Sequence, residues 1–433
     1  MASGHQITGA LIGGEGFRLN LACGKHGTKR FVVAFNQLRN QGDGTGENWI
    51  RGFKSEDDGV TWEQVGSSLR SRAQWLDTCV DGRGDASPYI YVAYMDVNAN
   101  HTIARFNMQA ETFDLENHFH VPVGAFGLSR IACNKHGELR VAISEGLVDF
   151  DVPTSTFIHE ITPYTVAFSG ETLAAGGQQP VPGIVFPIGS YAFMGIAPAA
   201  AAGAHPEGAE GWRYFMAESY QDGTNLALRT VIFDDTGARV QFVNHADAYG
   251  RIGVRDRAGA PEPVLLTHQP GTSNYWSLLV SNDGGVSVQC SQGQVPTVTI
   301  QDVPLTTGGG ALCGVGSDMY LMWFQGATLK ASKASGSLAS CAGWGAFETL
   351  LTVDEAAFFV EGATSVSDGI AVLYSRNDVS PTEFDAWFDV WFVLYPLGGG
   401  CPQPEVSTHE CSGVPDADTT HNCGGDQRQG YSI

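Results

Sequence analysis

Ser55-Glu56-Asp57-Asp58-Gly59-Val60-Thr61-Trp62 is the stretch that decides the fold, and it has the pattern S-x-D-x-G-x-T-W. In such a turn the Asp accepts hydrogen bonds from backbone amides, and the Gly takes a positive φ at no steric cost. The Trp that follows adds an aromatic anchor. The octet therefore predicts a rigid hairpin corner. A weaker copy without the Trp recurs at Ser281-Asn282-Asp283-Gly284-Gly285-Val286-Ser287-Val288.

Strand-forming runs recur on both sides of the octet. Leu21–Gly27 leads into one such run and Ile131–Gly137 into another, so a strand, a K-H-G turn and a second strand appear twice. Seven aromatic or β-branched runs are candidates for the same strand of a repeating unit. They are Arg30–Phe35, Tyr89–Tyr94, Leu139–Ile143, Trp212–Ala217, Tyr275–Val280, Met319–Phe324 and Ile370–Tyr374. Repeats of about 40–50 residues with four strands are typical of propeller blades. We predict an all-β β-propeller of four-stranded blades, with seven blades favoured and six as the alternative.

The ends of the chain suggest how such a ring closes. Phe384–Leu394 is the last strong strand, and we expect it to pair with N-terminal residues because a propeller must hide its edges. We predict an N-terminal arm over 1–10, the propeller over 11–398, and a polar, Cys-containing tail or attachment segment over 399–433. The stretch Ala197–Ala209, rich in Ala, Gly and Pro, is predicted to be an irregular loop.

Charge and composition exclude several classes of function. The chain has 433 residues, and 46 acidic against 24 basic side chains give a formal charge of −22, which disfavours nucleic-acid binding. It has no apolar run of the roughly 18 residues that a membrane helix needs, and its N-terminus has no signal-peptide pattern. We therefore expect synthesis in the cytoplasm.

The cysteines and the known cofactor motifs point to neither a metal nor a cofactor. Of nine Cys, four precede predicted strands in apolar surroundings and are predicted to be buried free thiols: Cys23, Cys79, Cys133 and Cys313. The Cys and His residues of the tail do not have zinc-ligand spacing. No phosphate-binding loop, H-E-x-x-H or G-x-S-x-G pattern occurs.

The octet resembles the Asp-box of sialidase-like β-propellers, and the residues before it extend that resemblance. Phe17-Arg18-Leu19-Asn20 stands where the family has a Y/F-R-I-P motif, and Ala34–Arg39 resembles its A-F-A-E-x-R strand. Asp43 follows in a glycine-rich loop. The resemblance implies that Arg18 grips a substrate carboxylate, that Arg39 lies beside the site, and that Asp43 is the acid/base. A guanidinium group suits a carboxylate, and a loop carboxyl group can act as a general acid.

The later parts of the chain match the family's chemistry less well. The strand around Glu218 resembles the one that carries the family's catalytic Glu. Where the family has its third carboxylate-binding Arg this chain has Ser273. Where the nucleophilic Tyr is expected it has Phe359 and Val360, with Glu361 close by. A retaining sialidase needs a Tyr activated by a Glu, so standard sialidase action is disfavoured.

Three functions follow as hypotheses. The first is a non-catalytic propeller that binds a glycan or a protein at the ring centre, near Arg18, Arg39 and Asp43. It would act as an adhesion or spike component of a virus particle that reaches its ligand after cell lysis, with the tail as the attachment segment. The second is an exo-glycosidase with altered chemistry, using Asp43 as acid and Glu218 or Glu361 as base or nucleophile. The third is a purely structural scaffold.

Each candidate residue also has a purely structural interpretation. The two arginines can pair with the many acids, and the loop Asp can be a turn residue. The tryptophans can belong to the blade core or, where exposed, stack on a sugar face: Trp49, Trp212, Trp276, Trp323 and Trp344. The tripeptide Arg83-Gly84-Asp85 spells an integrin-type motif, but glycine-rich turns produce it by chance.

Overall fold

The computed structural model describes the backbone of part of the chain, and side chains for a smaller part of it. The described backbone covers 4–7, 19–39, 46–98, 100–119, 129–134, 137, 139–149, 156–166, 174–175, 185–187, 193–199, 213–222, 225–233, 239–245, 250–257, 260–268, 275–280, 293–299, 310–325, 327–335, 348–352, 358–377 and 388–397. Nearly all of these residues are in β-strands. Among the described residues, the only helical segment is one turn of 3-10 helix at Gly84–Ala86.

The first half of the chain begins with two short strands and then forms two sheets. The short strands are β1 (His5–Ile7) and β2 (Leu19–Asn20). The first sheet contains β3 (Cys23–His26), β4 (Lys29–Arg39), β5 (Gly46–Ser55), β6 (Glu63–Val80), β7 (Tyr89–Asp96), β8 (His101–Asn107) and β9 (Thr112–Phe119) in sequential order, with β2 parallel to β6. The second sheet contains β10 (Ser129–Cys133), β11 (Leu139–Asp149), β12 (Thr156–Val166), β13 (Ala174–Ala175) and β14 (Val185–Pro187).

The second half forms four sheets of four strands each. The third is β15 (Phe193–Ala199), β16 (Arg213–Asp222), β17 (Asn225–Phe233) and β18 (Arg239–His245). The fourth is β19 (Gly250–Arg257), β20 (Ala260–His268), β21 (Tyr275–Val280) and β22 (Gly293–Thr299). The fifth is β23 (Gly310–Val315), β24 (Asp318–Gln325), β25 (Thr328–Ala334) and β26 (Glu348–Thr352). The closing sheet is β27 (Phe358–Val366), β28 (Gly369–Asn377), β29 (Phe388–Pro396) and β1.

These sheets are arranged as a ring. One strand of each sheet contacts one strand of the next, in the succession β6, β10, β15, β19, β23 and β27, and β27 in turn contacts β2 and β3. Sequential antiparallel sheets around a common centre, with their first strands innermost, make a β-propeller. The all-β propeller class predicted from the sequence is confirmed.

The number of blades stays a prediction. Among the described strands, hydrogen bonding gives six sheets. The long strand β6 pairs with β5 through its first part and with β7 through its second, and the register shifts between Ser71 and Leu76. Dividing β6 at that shift gives seven groups, whereas counting by sheet gives six.

The N-terminus closes the ring, as predicted. β1 pairs antiparallel with β29, with His5 opposite Phe392 and Ile7 opposite Val390. Nearer the centre, the amide of Cys23 donates to Thr364 Oγ1 at 3.2 Å, which joins β3 to β27. Chain segments from the two ends therefore share one sheet, and that sheet leaves β29 without an exposed edge.

The core lies between neighbouring blades. Phe31–Phe35 in β4 are all fully buried, because a central strand with a neighbour on each side presents both of its faces to other sheets. Their cluster includes Phe53 of β5, Phe106 of β8 and Phe392 of the closing sheet. The core therefore connects the first sheet with the last strand of the ring.

Two sequence predictions need correction. The predicted loop Ala197–Ala209 begins with three strand residues, since Ala197–Ala199 pair with β16. Pro198 is tolerated there because β15 is the first strand of its sheet, and a Pro can occupy an edge position. The run Tyr275–Val280 forms β21, the third strand of its sheet. It is therefore not equivalent to the runs in β4, β11, β16, β24 and β28, each of which follows the first strand of its sheet or group, and β7 has that position only if β6 is divided at its register shift.

Candidate functional site

The ring has two unlike ends, because strands that alternate in direction place alternate connections at opposite ends. We call the end that holds His26–Lys29 and Ser55–Glu63 the corner end, after its tight turns. We call the other the loop end. There β4 finishes at Arg39, and β5 starts opposite it at Gly46.

The octet forms a hydrogen-bonded corner between β5 and β6. Ser55 Oγ donates to Asp57 Oδ1 at 2.9 Å and accepts from the amide of Gly59 at 2.8 Å. Asp57 accepts from the amide and the hydroxyl of Thr61, at 2.8 and 2.6 Å. The indole Nε1 of Trp62 donates to the carbonyl of Gly59 at 2.9 Å. These bonds stay within the octet. Its second copy, with Ser281, Asp283 and Gly285, lies outside the described residues.

The corner packs against the closing sheet. The Trp62 and Phe392 rings meet edge to face with centroids 5.4 Å apart, and the guanidinium of Arg30 lies 5.7 Å from the Phe392 centroid. Arg30 is fully buried, and its Nη2 donates to Asp368 Oδ2 at 2.5 Å. Burial alone would raise the pKa of Asp368, but the hydrogen bonds from Arg30 and Lys25 lower it below its usual range. This polar contact joins the first sheet to the last.

The residues predicted to bind ligand or to act in catalysis fall mostly beyond what the structure describes. Arg18 and Asp43 lie outside the described residues. Arg39 is the last residue of β4, and Glu218 lies in β16 with Arg229 as its register partner on β17, but only the backbone is described for these residues. Their predicted roles are therefore not tested by the geometry.

Trp49 lies in a cationic cluster that the sequence analysis did not recognise. It is half-buried on β5, opposite Arg70 of β6, and the Arg70 guanidinium lies 5.2 Å from its ring centroid. The Arg51 guanidinium lies 5.8 Å from the same centroid. The available signal was the spacing W-x-R, because residues two apart on a strand share a face. Trp323, by contrast, belongs to the blade core, which was one of the two interpretations of the tryptophans. Only 1% of its surface is exposed.

The integrin-type tripeptide does not present its arginine to solvent as a free group. Arg83 turns back on the buried Asp81, with Nε to Oδ1 at 2.9 Å and Nη2 to Oδ2 at 2.6 Å. Tyr91 also donates its hydroxyl to Asp81, at 3.1 Å. Burial would raise the pKa of Asp81, and the hydrogen bonds from Arg83 bring it below its usual value. This geometry agrees with the interpretation of the tripeptide as a chance product of a turn.

Four described cysteines are free, and they lie on innermost strands. Cys23 and Cys313 are buried as predicted, and burial raises the pKa of each thiol to about 12. Cys79 and Cys133 are only half-buried. Within the part of the chain that the structure describes, no group of His, Cys, Asp and Glu side chains could hold a metal ion. The same residues include no helix that is long and apolar enough to cross a membrane.

Comparisons with known proteins give structural similarities only. No protein-family model matches the sequence, and no curated protein matches it. Similar solved structures include the Pyrococcus horikoshii acylaminoacyl peptidase, at 11% identity and a TM-score of 0.43 over 87% of this chain. The match covers 51% of that peptidase, so the chain spans about half its length.

Two further solved structures are similar to the chain over most of its length. The SapL1 lectin, solved in complex with alpha methyl fucoside, matches at 13% identity and a TM-score of 0.42, covering 78% of this chain and 96% of the lectin. A subtype N11 neuraminidase-like protein of A/flat-faced bat/Peru/033/2010 (H18N11) matches at 13% identity and a TM-score of 0.39, covering 93% of this chain and 98% of that protein.

Proposed function

We propose that the chain is a binding propeller whose ligand, an acidic glycan, sits at the loop end of the ring near Arg18, Arg39 and Asp43. The observation that carries the proposal is the strand topology. β4 ends at Arg39 at the loop end, opposite the self-contained corners. Guanidinium groups suit carboxylates because their paired donors match the two oxygens.

Binding without catalysis is the preferred form of this proposal. In the region where the sialidase nucleophile is expected, Val360 is buried with 1% of its surface exposed. An aliphatic side chain supplies neither a nucleophile nor an acid. The glycosidase alternative needs Asp43 and either Glu218 or Glu361 to act as a pair of carboxyl groups about 5–9 Å apart, which hydrolysis assays test directly.

The proposal extends to how the chain is used. We propose that the polar segment 399–433 attaches the propeller to a larger assembly, in the way that an adhesion protein is carried on a virus particle. The support for this part is the composition of the segment alone. Removing 399–433 should leave glycan affinity unchanged and abolish co-sedimentation with the particle. Loss of glycan binding on truncation would contradict this division of roles.

The experiment that tests the proposed function is a glycan-array measurement on the purified protein, the Arg18→Ala and Arg39→Ala variants, and Arg83→Ala. The last is a matched control, because it removes an arginine that is already paired with Asp81. We expect acidic glycans to bind the unmodified protein and Arg83→Ala, and to bind the two loop-end variants at least tenfold more weakly. Binding to no glycan would refute the proposed function and favour a protein ligand or a scaffold.

A further inference from the structure

Cys79 and Cys133 occupy matching positions on two neighbouring strands, β6 and β10. The amide of Ile131 donates to Asp77 Oδ2 at 2.7 Å, and this bond joins β10 to β6 two residues before each cysteine. Both residues of the bond are buried. Because the Asp side chain is short, its carboxylate reaches a backbone amide of another strand only where the two strands lie side by side.

A second contact fixes the relative direction of β6 and β10. Just past the end of β10, a Cβ on Gly137 would lie 2.7 Å from the Nε of Arg83, which itself lies just past the end of β6. These two residues are 54 positions apart in the sequence, the same separation as in the first contact. The equal separation means that the two strands run in the same direction with one register. Cys79 and Cys133, which are also 54 positions apart, lie between the two contacts and are therefore neighbours.

Both thiols point into the interface between the two sheets. Alternate residues of a strand share a face, so Cys79 has the same direction as Asp77, whose carboxylate reaches β10. Cys133 shares a face with Ile131 in the same way. Ile131 belongs to a buried cluster with residues of β7 and β8, and both cysteines pack against that cluster. The two side chains therefore approach each other from opposite sides of one interface.

The electrostatics of the interface agree with this placement. Burial raises the pKa of Cys79 well above its usual value, and Cys133 is the first of the charged neighbours that add to the rise. Burial also raises the pKa of Tyr91, the register partner of Cys79 on β7, with contributions from Asp81 and from both thiols. Both cysteines are half-buried, and both are reduced. Two thiols that are partly open to solvent therefore lie close together.

We propose that Cys79 and Cys133 form a dithiol site that a small-molecule disulfide, such as oxidised glutathione, converts into a covalent bond between β6 and β10. One protein thiolate attacks a sulfur of oxidised glutathione, forms a mixed disulfide and releases one glutathione. The second protein thiolate attacks the protein sulfur of the mixed disulfide and releases the other glutathione. Two electrons pass from the protein to glutathione, and the two thiol protons end on the released glutathiones. The inference is independent of the proposed ligand.

The bond would join two sheets that the backbone keeps separate. β6 and β10 belong to different sheets, and Cα atoms of the two strands come within 8 Å of each other. That spacing is close to the range of about 4.4–6.8 Å between the Cα atoms of a disulfide. A bond that closes a long loop also restricts the unfolded chain, so it should raise the urea concentration at which the protein unfolds.

The test is peptide mass spectrometry on the full chain after incubation with oxidised glutathione at about pH 8.5, where more thiolate is present than at neutral pH. The variants are Cys79→Ser and Cys133→Ser. Cys313→Ser is the matched control, because Cys313 is a buried thiol on another inner strand. We expect one peptide pair joined through Cys79 and Cys133, lighter by two hydrogens and separated by dithiothreitol. The first two variants should lose this product, and Cys313→Ser should keep it.

Phenylarsine oxide provides a second measurement on the unmodified chain, which remains informative should a Ser variant fail to fold. Its arsenic bonds to two neighbouring thiols with release of one water and needs no oxidant. We expect one equivalent to block iodoacetamide labelling of Cys79 and Cys133 in the folded protein. Separate glutathione adducts on the two cysteines, or a disulfide from either to another cysteine, would refute the proposal. So would a folded protein in which neither thiol reacts with either reagent while both react in urea.

Discussion

Replacing Gly59 by Ala should destabilise the protein through contact with the closing sheet. Gly59 has φ of +96°, a conformation that costs an L-residue about 1–2 kcal/mol. A Cβ at this position would lie 2.5 Å from Phe392 Cδ1 and closer still to Cε1. Phe392 is fully buried beneath Trp62 and in β29, so it has little room to move. Overpacking of this kind costs about 1–3 kcal/mol, and the sum is about 2–5 kcal/mol.

Gly27 provides a matched control for the backbone part of this cost. It has φ of +61° in the β3–β4 turn, and a Cβ there would meet nothing within 4 Å. Gly27→Ala should therefore cost only the backbone strain, about 1–2 kcal/mol. The difference between the two variants isolates the steric contact with Phe392. The double variant Gly59→Ala, Phe392→Leu should recover part of the loss, because the smaller side chain removes the clash.

The assay is urea unfolding followed by circular dichroism. Because the unfolding entropy grows with chain length, each kcal/mol changes the melting temperature of 433 residues by only about 1 °C, so the free energy of unfolding is the better measure. Equal losses for Gly59→Ala and Gly27→Ala would refute the reasoning. They would mean that the octet does not press against Phe392 in solution.

Three further predictions concern the same regions. Asp57→Ala removes the acceptor of three turn hydrogen bonds and should cost about 1–2 kcal/mol in urea unfolding, whereas no loss would mean that the corner holds without them. The folded pKa of Asp368 is depressed, so its stabilising contribution is present above the unfolded pKa and is lost as pH falls through the folded one. Asp368→Asn, which also weakens the bond from Arg30, should flatten the stability curve below about pH 4, and an unchanged curve would contradict this. Burial raises the pKa of the Cys23 and Cys313 thiols to about 12, so both should resist iodoacetamide at pH 8 in the folded protein and react in urea. Peptide mass spectrometry measures the labelling, and labelling in the folded state would contradict this prediction.

The sequence was most informative where a strand is buried on both faces. Phe31–Phe35 and Ile370–Tyr374 form continuous apolar runs, and both are second strands of their sheets. Edge strands were harder to predict because they can contain polar residues and proline. Pro198 in β15 is such a case. β20 pairs with a strand on each side, but Pro261 and Pro263 in it are atypical of a strand, so the sequence did not predict it.

The contacts that join the first sheet to its neighbours are not local in sequence. Arg30 meets Asp368 across 338 residues, and no periodicity relates the two positions. The cluster around Trp49 depends on which residue of β6 lies opposite it. A β-bulge between Ile50 and Gly52 sets that register, and the octet pattern does not predict the bulge. The sequence therefore predicted the octet turn itself better than the contacts between strands that lie far apart in the sequence.

Ion pairs with shared carboxylates organise the corner end. In a chain with 46 acids and 24 bases, the described cations at that end meet carboxylates. Lys54 contacts three glutamates at 2.9 to 3.1 Å, and Lys29 contacts two at 2.8 and 3.1 Å. These shared glutamates therefore link the β3–β4 turn, the octet and the turn before β9 through one set of ion pairs.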